Sequence, residues 1–208
     1  MAGDRRVDEP DVTHQAIDLA LLGPAQRYKL LTGAVVPRPI AWVTTKSADG
    51  VVNAAPFSQF VTLAYNPALL AISIGVGPRG KKDTLVNIEA TSEFVINSVP
   101  ENAAGLVHRS AEELQPHESE VERLGLGVIP SVQVAPPRLA ISVVQFECRL
   151  NRIIEVGDDP NYIVIGDVVI MHINDRLIRD DRIDAKSHRP LARIGGPNYL
   201  EFGSIIRV

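Results

Sequence analysis

The stretch Gly75-Val76-Gly77-Pro78-Arg79-Gly80-Lys81-Lys82-Asp83-Thr84 follows directly on the apolar run Leu69-Leu70-Ala71-Ile72-Ser73-Ile74. Two phosphate-binding patterns overlap in it. Gly75, Gly77 and Gly80 spell G-x-G-x-x-G, and Gly75 to Lys81 spells G-x-x-x-x-G-K. The first pattern belongs to dinucleotide folds, the second to nucleotide triphosphatases, and neither meets its own requirements here. A triphosphatase loop needs Ser or Thr after its lysine to reach Mg²⁺, and position 82 is Lys. A dinucleotide fold sets the glycines after its first strand, with an acid about 20 residues on for the ribose. In this chain two or three strand-like segments come first, Glu93 opens the next strand rather than closing it, and Pro78 interrupts the turn.

The local chemistry outlives both patterns. Glycines let backbone approach a ligand closely, Arg79 can fork onto a phosphate, and Lys82 adds a point charge. Thr84 stands near the first turn of a helix, where outward N–H groups favour anions. The alternative is an exposed turn whose helix is capped by Asp83 or Thr84.

Working outward, strands dominate. Gly23-Pro24 opens a short helix with Gly33 as its stop. Pro37-Arg38-Pro39 then launches a strand over Ile40 to Thr45, rich in β-branched and aromatic residues. Ser47-Ala48-Asp49-Gly50 turns the chain, Asp-Gly supplying the positive φ of a tight hairpin, and the return strand begins at Val51. A third strand, Leu69 to Gly75, precedes the glycine loop. Asp83 to Glu89 reads as helix and Ser92 to Val99 as strand. Glu101 to Glu113 and His117 to Leu124 read as helices, the second acidic and exposed. From Arg138 strands return: Leu139 to Ile154, then Tyr162 to Met171 after the turn at Asp158-Asp159-Pro160-Asn161, and finally Tyr199 to Val208. The run Tyr162 to Met171 is apolar at both parities, as where both sheet faces are covered or a barrel wall meets a partner. Sequential hairpins with short helices predict an antiparallel barrel with helical insertions, not a βαβ alternation.

The 208 residues suit one domain, and 45% hydrophobic residues supply its core. Residues 1–16 are expected to be a flexible leader and 17–208 the folded unit. A net charge of −4 offers no general grip on nucleic acid or acidic lipid. The Arg176–Arg182 cluster, interleaved with Asp175, Asp180 and Asp181, reads as a solvated face. One cysteine, Cys148, precludes an internal disulfide and points to a reducing compartment; it reads as a core residue, with no base to activate it. Met1 to Pro10 has no apolar signal region, and no apolar stretch nears the ~18 residues of a membrane span, so a cytoplasmic protein is expected. His14, His108, His117, His172 and His188 lie far apart without metal-ligand spacing, so no metal is expected. No nucleophile elbow supports Ser/His/Asp catalysis.

Three neighbouring segments change the weight of the loop. Asn53-Ala54-Ala55-Pro56-Phe57-Ser58 sets small residues, an amide and a hydroxyl around a proline, fit for a flat ring against backbone; the alternative is a proline-bent strand. Thr44-Thr45 adds two hydroxyls at the preceding strand end. Pro37 to Thr45, then Asn53 to Ser58, then Lys82-Asp83-Thr84, resemble the flavin reductase-like family, which includes flavoredoxins. Pro190-Leu191-Ala192-Arg193-Ile194-Gly195-Gly196-Pro197-Asn198-Tyr199 resembles its closing motif. The segments keep the family's order over roughly residues 25–208.

The resemblance implies a mainly β, FMN-binding split barrel and a homodimer with the flavin at or near the subunit interface. Carried over, it implies that Thr44 and Thr45 line the flavin from the strand end and that Asn53, Ala54, Ala55, Pro56 and Phe57 lie along the ring. Ser58, Arg79, Lys82 and Thr84 would surround the ribityl phosphate, with Asp83 fixing the loop. His188 and Tyr199 would approach the ring from either subunit; a structural hydrogen bond is the other reading of His188. The implied activity is an oxidoreductase in which NAD(P)H reduces bound FMN, which serves free flavin, an oxygenase partner or another acceptor. The alternative is an FMN electron carrier reduced by a partner protein. No catalytic side chain is assigned, because the flavin carries the chemistry.

Overall fold

The computed structural model describes residues 13–207; most of the expected leader, residues 1–12, lies outside the described residues. The elements are β1 (Arg38–Pro39), β2 (Ala41–Lys46), β3 (Val52–Phe57), β4 (Phe60–Tyr65), β5 (Ala68–Gly75), β6 (Glu93–Asn97), β7 (Val128–Ile129) and β8 (Arg138–Leu139). They continue with β9 (Val144–Val156), β10 (Asn161–Ile173), β11 (Ile178–Arg179), β12 (Arg182–Ile183), β13 (Ala192–Gly195) and β14 (Asn198–Leu200). The helices are α1 (Pro24–Ala34), α2 (Asp83–Thr91), α3 (Ala104–Arg109), α4 (Glu120–Leu124) and α5 (Ala185–His188).

Seven antiparallel strands form one sheet in the order β3-β2-β6-β9-β10-β5-β4. Its two edges, β3 and β4, are consecutive in the chain and separated only by Ser58 and Gln59. A flat sheet would hold its edges about 29 Å apart across six spacings, whereas three Cα steps reach only about 11 Å. The sheet must therefore curl until its edges meet. The Ser73 N–H donates to Gln59 O at 2.9 Å across that seam, yet β3 and β4 share no ladder. The result is a barrel with one open seam.

Alternation along β2 explains why it reads as unbroken apolar sequence. Ala41 and Val43 face a barrel core with Ile72, Ile74, Leu85, Ile88 and Phe94. Ile40 and Trp42 face a second core built from Val99, Val107, Val121 and Leu139. Both faces are covered, so both parities are apolar. In β10 the same pattern has two causes. Tyr162 and Val164 are buried inside the barrel, while Met171 is 41% exposed. At Gly166 an added Cβ would collide with the Phe94 ring, so this wall tolerates no side chain there.

Several expectations need correction. Gly33 does not stop α1; the helix continues to Ala34, and the Val35 N–H still donates to Leu31 O at 3.0 Å. Phe60–Tyr65 forms an additional edge strand, β4, between the expected strands. Glu101 to Glu113 holds only a 3-10 turn over Glu101–Ala103 and the short α3. The segment from His117 is helical only over α4, and it is not an exposed face: Glu120 and Val121 are buried. The final strand shrinks to β14, because the Phe202 N–H turns to Glu101 Oε1 (2.7 Å) instead of a neighbouring strand.

Candidate functional site

Two clefts of about 660 and 630 Å³ open along the seam. They join, sharing Pro56, Phe57, Val76, Lys82 and Ala111 as common walls. β3 is an edge strand, so Pro56 costs no ladder bond there and its backbone stays open to a ligand.

The second cleft lies between β3 and the glycine loop. Asn53, Ala55 and Phe57, alternate residues of β3, line it together with Arg79, Lys82, Asp83 and Thr84. Gly77 and Gly80 bond each other reciprocally (Gly77 N–H to Gly80 O 2.8 Å, Gly80 N–H to Gly77 O 3.0 Å), and Gly80 sits at φ +94°. A Cβ on Gly77 would come within 2.8 Å of Glu113 Oε1; its glycine lets that carboxylate close on the loop. Arg79 is committed to the same contact. Its guanidinium lies 3.8 Å from Glu113 and 3.8 Å from Asp83, and it donates to Gln115 Oε1 (3.3 Å) and to Leu114 O. Lys81 pairs with Glu89 at 2.6 Å. Lys82 occupies the N-cap of α2 without a side-chain cap bond, so neither Asp83 nor Thr84 is the cap. Among the described residues Lys82 has no carboxylate partner; its Nζ stands 5.9 Å over the Phe57 ring.

Beneath this cleft runs a buried polar network. Asn53 Oδ1 accepts from Thr84 Oγ1 (2.8 Å) and Thr45 Oγ1 (3.3 Å), and Asn87 donates to Thr45 Oγ1 at 3.0 Å. Asn53 Nδ2 donates to both Glu120 oxygens (3.1 and 3.0 Å), and the Ala54 N–H to Glu120 Oε2 (2.9 Å). The network fixes the Asn53 amide and the β3 backbone from below. Burial raises the Glu120 pKa, outweighing its hydrogen bonds, and Asp83 adds to the rise. Glu120 is a site residue that sequence reasoning missed, since one acid among Glu118, Glu120 and Glu122 carries no local mark. Thr44 stands apart: it is fully buried, donating to Pro137 O at 2.6 Å. The side chain of Ala54 also leaves the cleft, joining the second core.

The first cleft occupies the open seam itself. Ser58 and Tyr199 line it with Arg38, Arg193 and Tyr28. Arg38 is only 7% exposed. It ties α1 to β13, donating to Thr32 O, to Val35 O (2.7 Å) and to Ile194 O (3.0 Å), with Ser58 Oγ at 3.5 Å. The Arg193 guanidinium lies 4.6 Å from the Tyr199 ring centroid, and the Tyr199 hydroxyl meets His108 Nδ1 at 3.3 Å. His188 lines neither cleft; it is half-buried, its Nε2 has no partner among the described residues, and burial lowers its pKa. The predicted residues thus divide. Asn53, Ala55, Pro56, Phe57, Ser58, Arg79, Lys82, Asp83, Thr84 and Tyr199 meet at the joined clefts, and Thr45 supports them from below. Thr44, Ala54 and His188 lie elsewhere.

Among the described residues no group of three His, Cys, Asp or Glu gathers for a metal, and no helix is long and apolar enough to cross a membrane. Cys148 is buried in the barrel core, and burial pushes its thiol pKa up, so it is no nucleophile.

Comparison with known proteins fits this geometry. Residues 33–190 match the flavin reductase like domain. An uncharacterized protein of Halalkalibacterium halodurans is 43% identical over 88% of this chain and 90% of its own. Nitrilotriacetate monooxygenase component B from Bacillus cereus superposes with a TM-score of 0.91 at 33% identity, over 95% of this chain and all of that one. Pseudomonas fluorescens 2-nitrobenzoate 2-nitroreductase gives 0.85 at 33% identity, over 93% of this chain and 95% of its own. The barrel, its seam and this match over three quarters of the sequence lead to one conclusion: the chain belongs to the flavin reductase-like family.

Proposed function

We propose that the protein is an FMN-dependent oxidoreductase that takes electrons from NADH or NADPH and passes them to free flavin or another acceptor. Family membership gives the coarse class, a flavin-linked oxidoreductase. The observation that carries the finer reading is the trough from Asn53 to Phe57, with Lys82 at the junction of the clefts and in no ion pair among the described residues. The residues fit the cofactor. The Ala55 methyl and the Pro56 and Phe57 faces offer a flat wall for a ring. Lys82 is a free positive charge for a phosphate, and each cleft has the size of a small-molecule site.

In this reading Asn53 to Phe57 hold the ring and Lys82 holds the phosphate, with Thr84 and Thr45 acting through Asn53. Arg79 and Asp83 keep the glycine loop shut against Glu113. Bound flavin supplies the electron and hydride chemistry; the chain supplies position, exclusion of water and one open side for the donor. The functional unit is residues 17–208. Cys148 needs no oxidising compartment, and the proposed location is the cytoplasm.

The working form is a homodimer. On the edge strand β4, Val61, Leu63 and Tyr65 are 52%, 49% and 90% exposed, and on β10 Met171 is 41% exposed. Alternate apolar residues on an open edge need a cover, and a second copy supplies it. The similar Bacillus cereus protein is a component B of a monooxygenase, which makes an oxygenase partner one candidate acceptor.

The purified protein is expected to be yellow and to release about one FMN per chain on denaturation, the ratio of a single trough per subunit. Light scattering should give the mass of two chains, and Leu63→Asp one. The deciding experiment mixes FMN-loaded protein anaerobically with each nicotinamide. Bleaching supports the reductase. If neither donor bleaches the colour and dithionite does, the carrier reading replaces it. A colourless protein that also ignores added FMN removes the flavin reading altogether.

A further inference from the structure

We infer that the first cleft is a binding chamber for a flat organic carboxylate, which it holds beside the flavin trough and so selects which compound reaches it. This deepens the flavin reading and rests on it for the location of the flavin. Besides Lys82, which this reading gives to the flavin phosphate, two cations line the chamber, Arg38 and Arg193, and no Asp or Glu lines it among the described residues. The chain as a whole carries a net charge of −4, so this is no spill-over from a basic surface. The neighbouring cleft, by contrast, sets Asp83, Glu112, Glu113 and Glu120 among its cations.

Arg38 lies deepest of these cations, only 7% exposed. A guanidinium this deeply buried normally faces a carboxylate, and all the acceptors of Arg38 are neutral. Of its five N–H donors, three serve the carbonyls of Thr32, Val35 and Ile194. One on Nη2 has no partner among the described residues, and the Nε donor reaches Ser58 only at 3.5 Å. Nε with Nη2 is an edge of the fork that suits a carboxylate in two-point contact. Arg193, held over Tyr199 at 4.6 Å, offers a second cation near the rim.

The walls specify the rest of the ligand. Tyr28, Phe57 and Tyr199 face the space and favour a ring. Phe57 and Pro56 belong to both clefts, so a ring beside them also borders the flavin trough. The depth of Arg38 favours a compact carboxylate over the diphosphate of a dinucleotide, which binds on open loops and helix ends.

The test uses FMN-loaded protein, with benzoate as probe and benzamide as its neutral counterpart, read by the flavin difference spectrum and by calorimetry. Benzoate should bind at least about tenfold tighter than benzamide, the scale of one charge-assisted hydrogen bond. Arg193→Gln should weaken benzoate by a similar factor while FMN and riboflavin affinities hold within about twofold, since an interaction that is not made cannot be lost. Arg38→Lys, which keeps the charge and loses the fork, should weaken benzoate alone. Equal binding of benzoate and benzamide, or no binding of either, overturns the proposal without any variant. Loss of FMN but not riboflavin affinity in Arg193→Gln makes the cluster a flavin-phosphate seat and also overturns it. So does tight binding of ADP that depends on Arg193 where benzoate fails. If the protein takes up no FMN, the flavin reading falls, and benzoate calorimetry on the FMN-free chain still decides the chamber.

Discussion

The two clefts on either side of Phe57 and Lys82 are built from similar residues and balanced in opposite ways. In the second, Arg79 faces Glu113 and Asp83, Lys81 faces Glu89, and Asn53 is fixed by Glu120. Among the described residues its other cations are paired within the chain, and Lys82 is left over. In the first, Arg38 and Arg193 find, among the described residues, only carbonyls, a hydroxyl and an aromatic ring. A cation that already has its carboxylate shapes a loop. A cation without one is available to a ligand, because its Coulomb attraction is still unspent. Uncompensated charge, not the frequency of basic residues, therefore marks where a ligand anion can bind.

The largest expected effect lies under the second cleft. Glu120→Ala removes the acceptor of the Asn53 amide and of the Ala54 N–H and leaves these buried donors without a partner. Breaking a buried network and leaving donors unpaired costs about 3 kcal/mol, so the melting temperature should fall by several degrees. FMN affinity should fall with it, because Asn53 and the β3 backbone lose their support. An unchanged melting temperature would mean that the floor of the cleft does not depend on this carboxylate.

Next comes the leftover cation. Lys82→Ala should weaken FMN by about 1.5–3 kcal/mol, the worth of a hydrogen bond to a charged group, and leave riboflavin nearly unchanged. Fluorescence quenching of both ligands reads the difference. Equal weakening of both would assign Lys82 to the ring or the fold, and the contrast between spare and committed cations would lose its main support.

A second buried carboxylate gives a smaller, opposite effect. Burial raises the pKa of Glu147, but the N–H groups of Val132 (2.8 Å) and Gln133 (2.7 Å) and the His172 ring (2.6 Å) outweigh it, and the net pKa lies below the ordinary value. A lowered carboxylate pKa stabilises the fold above the unfolded value and loses that contribution as pH falls through the folded one. Glu120, raised, works the other way: its contribution is present at low pH and is lost as pH rises through its folded pKa. Urea titrations should therefore show stability falling with acid below the ordinary carboxylate range, and Glu147→Gln should flatten that slope. An unchanged slope in the variant would show that Glu147 is not the group protonated.

Much of this was legible in the sequence, and the limits have physical causes. The hairpin at Ser47–Gly50 and the strands β2, β3, β5 and β6 followed from alternation and one Asp-Gly turn, both local signals. Strand β4 was hidden because it is an edge with exposed Val61, Leu63 and Tyr65, so its pattern lacks a buried face to mark it. The Thr84–Asn53–Glu120 network joins residues 31 and 67 positions apart, and no periodicity reports such a contact. Thr44 and Thr45 read as a pair, yet neighbours in a strand point to opposite faces. One therefore supports the site and the other binds the Pro137 carbonyl.

The smallest expected effect is the sharpest check on the comparison. Arg79 stands in the glycine loop, where its type and position match a phosphate ligand, and the sequence alone assigns it that part. In the structure its guanidinium is taken up by Asp83, Glu113, Gln115 and the Leu114 carbonyl. To reach a phosphate it would have to leave them all. The side chain is 39% exposed, so these pairs are individually weak, and what they fix is the closure of the loop. Arg79→Ala should then change FMN affinity by no more than about threefold, the scale of a partly exposed ion pair, and affect riboflavin equally. A loss of FMN affinity as large as that of Lys82→Ala, with riboflavin spared, would show that Arg79 abandons its carboxylates for the phosphate. Compensation within the chain would then be no guide to which cations in this site bind a ligand.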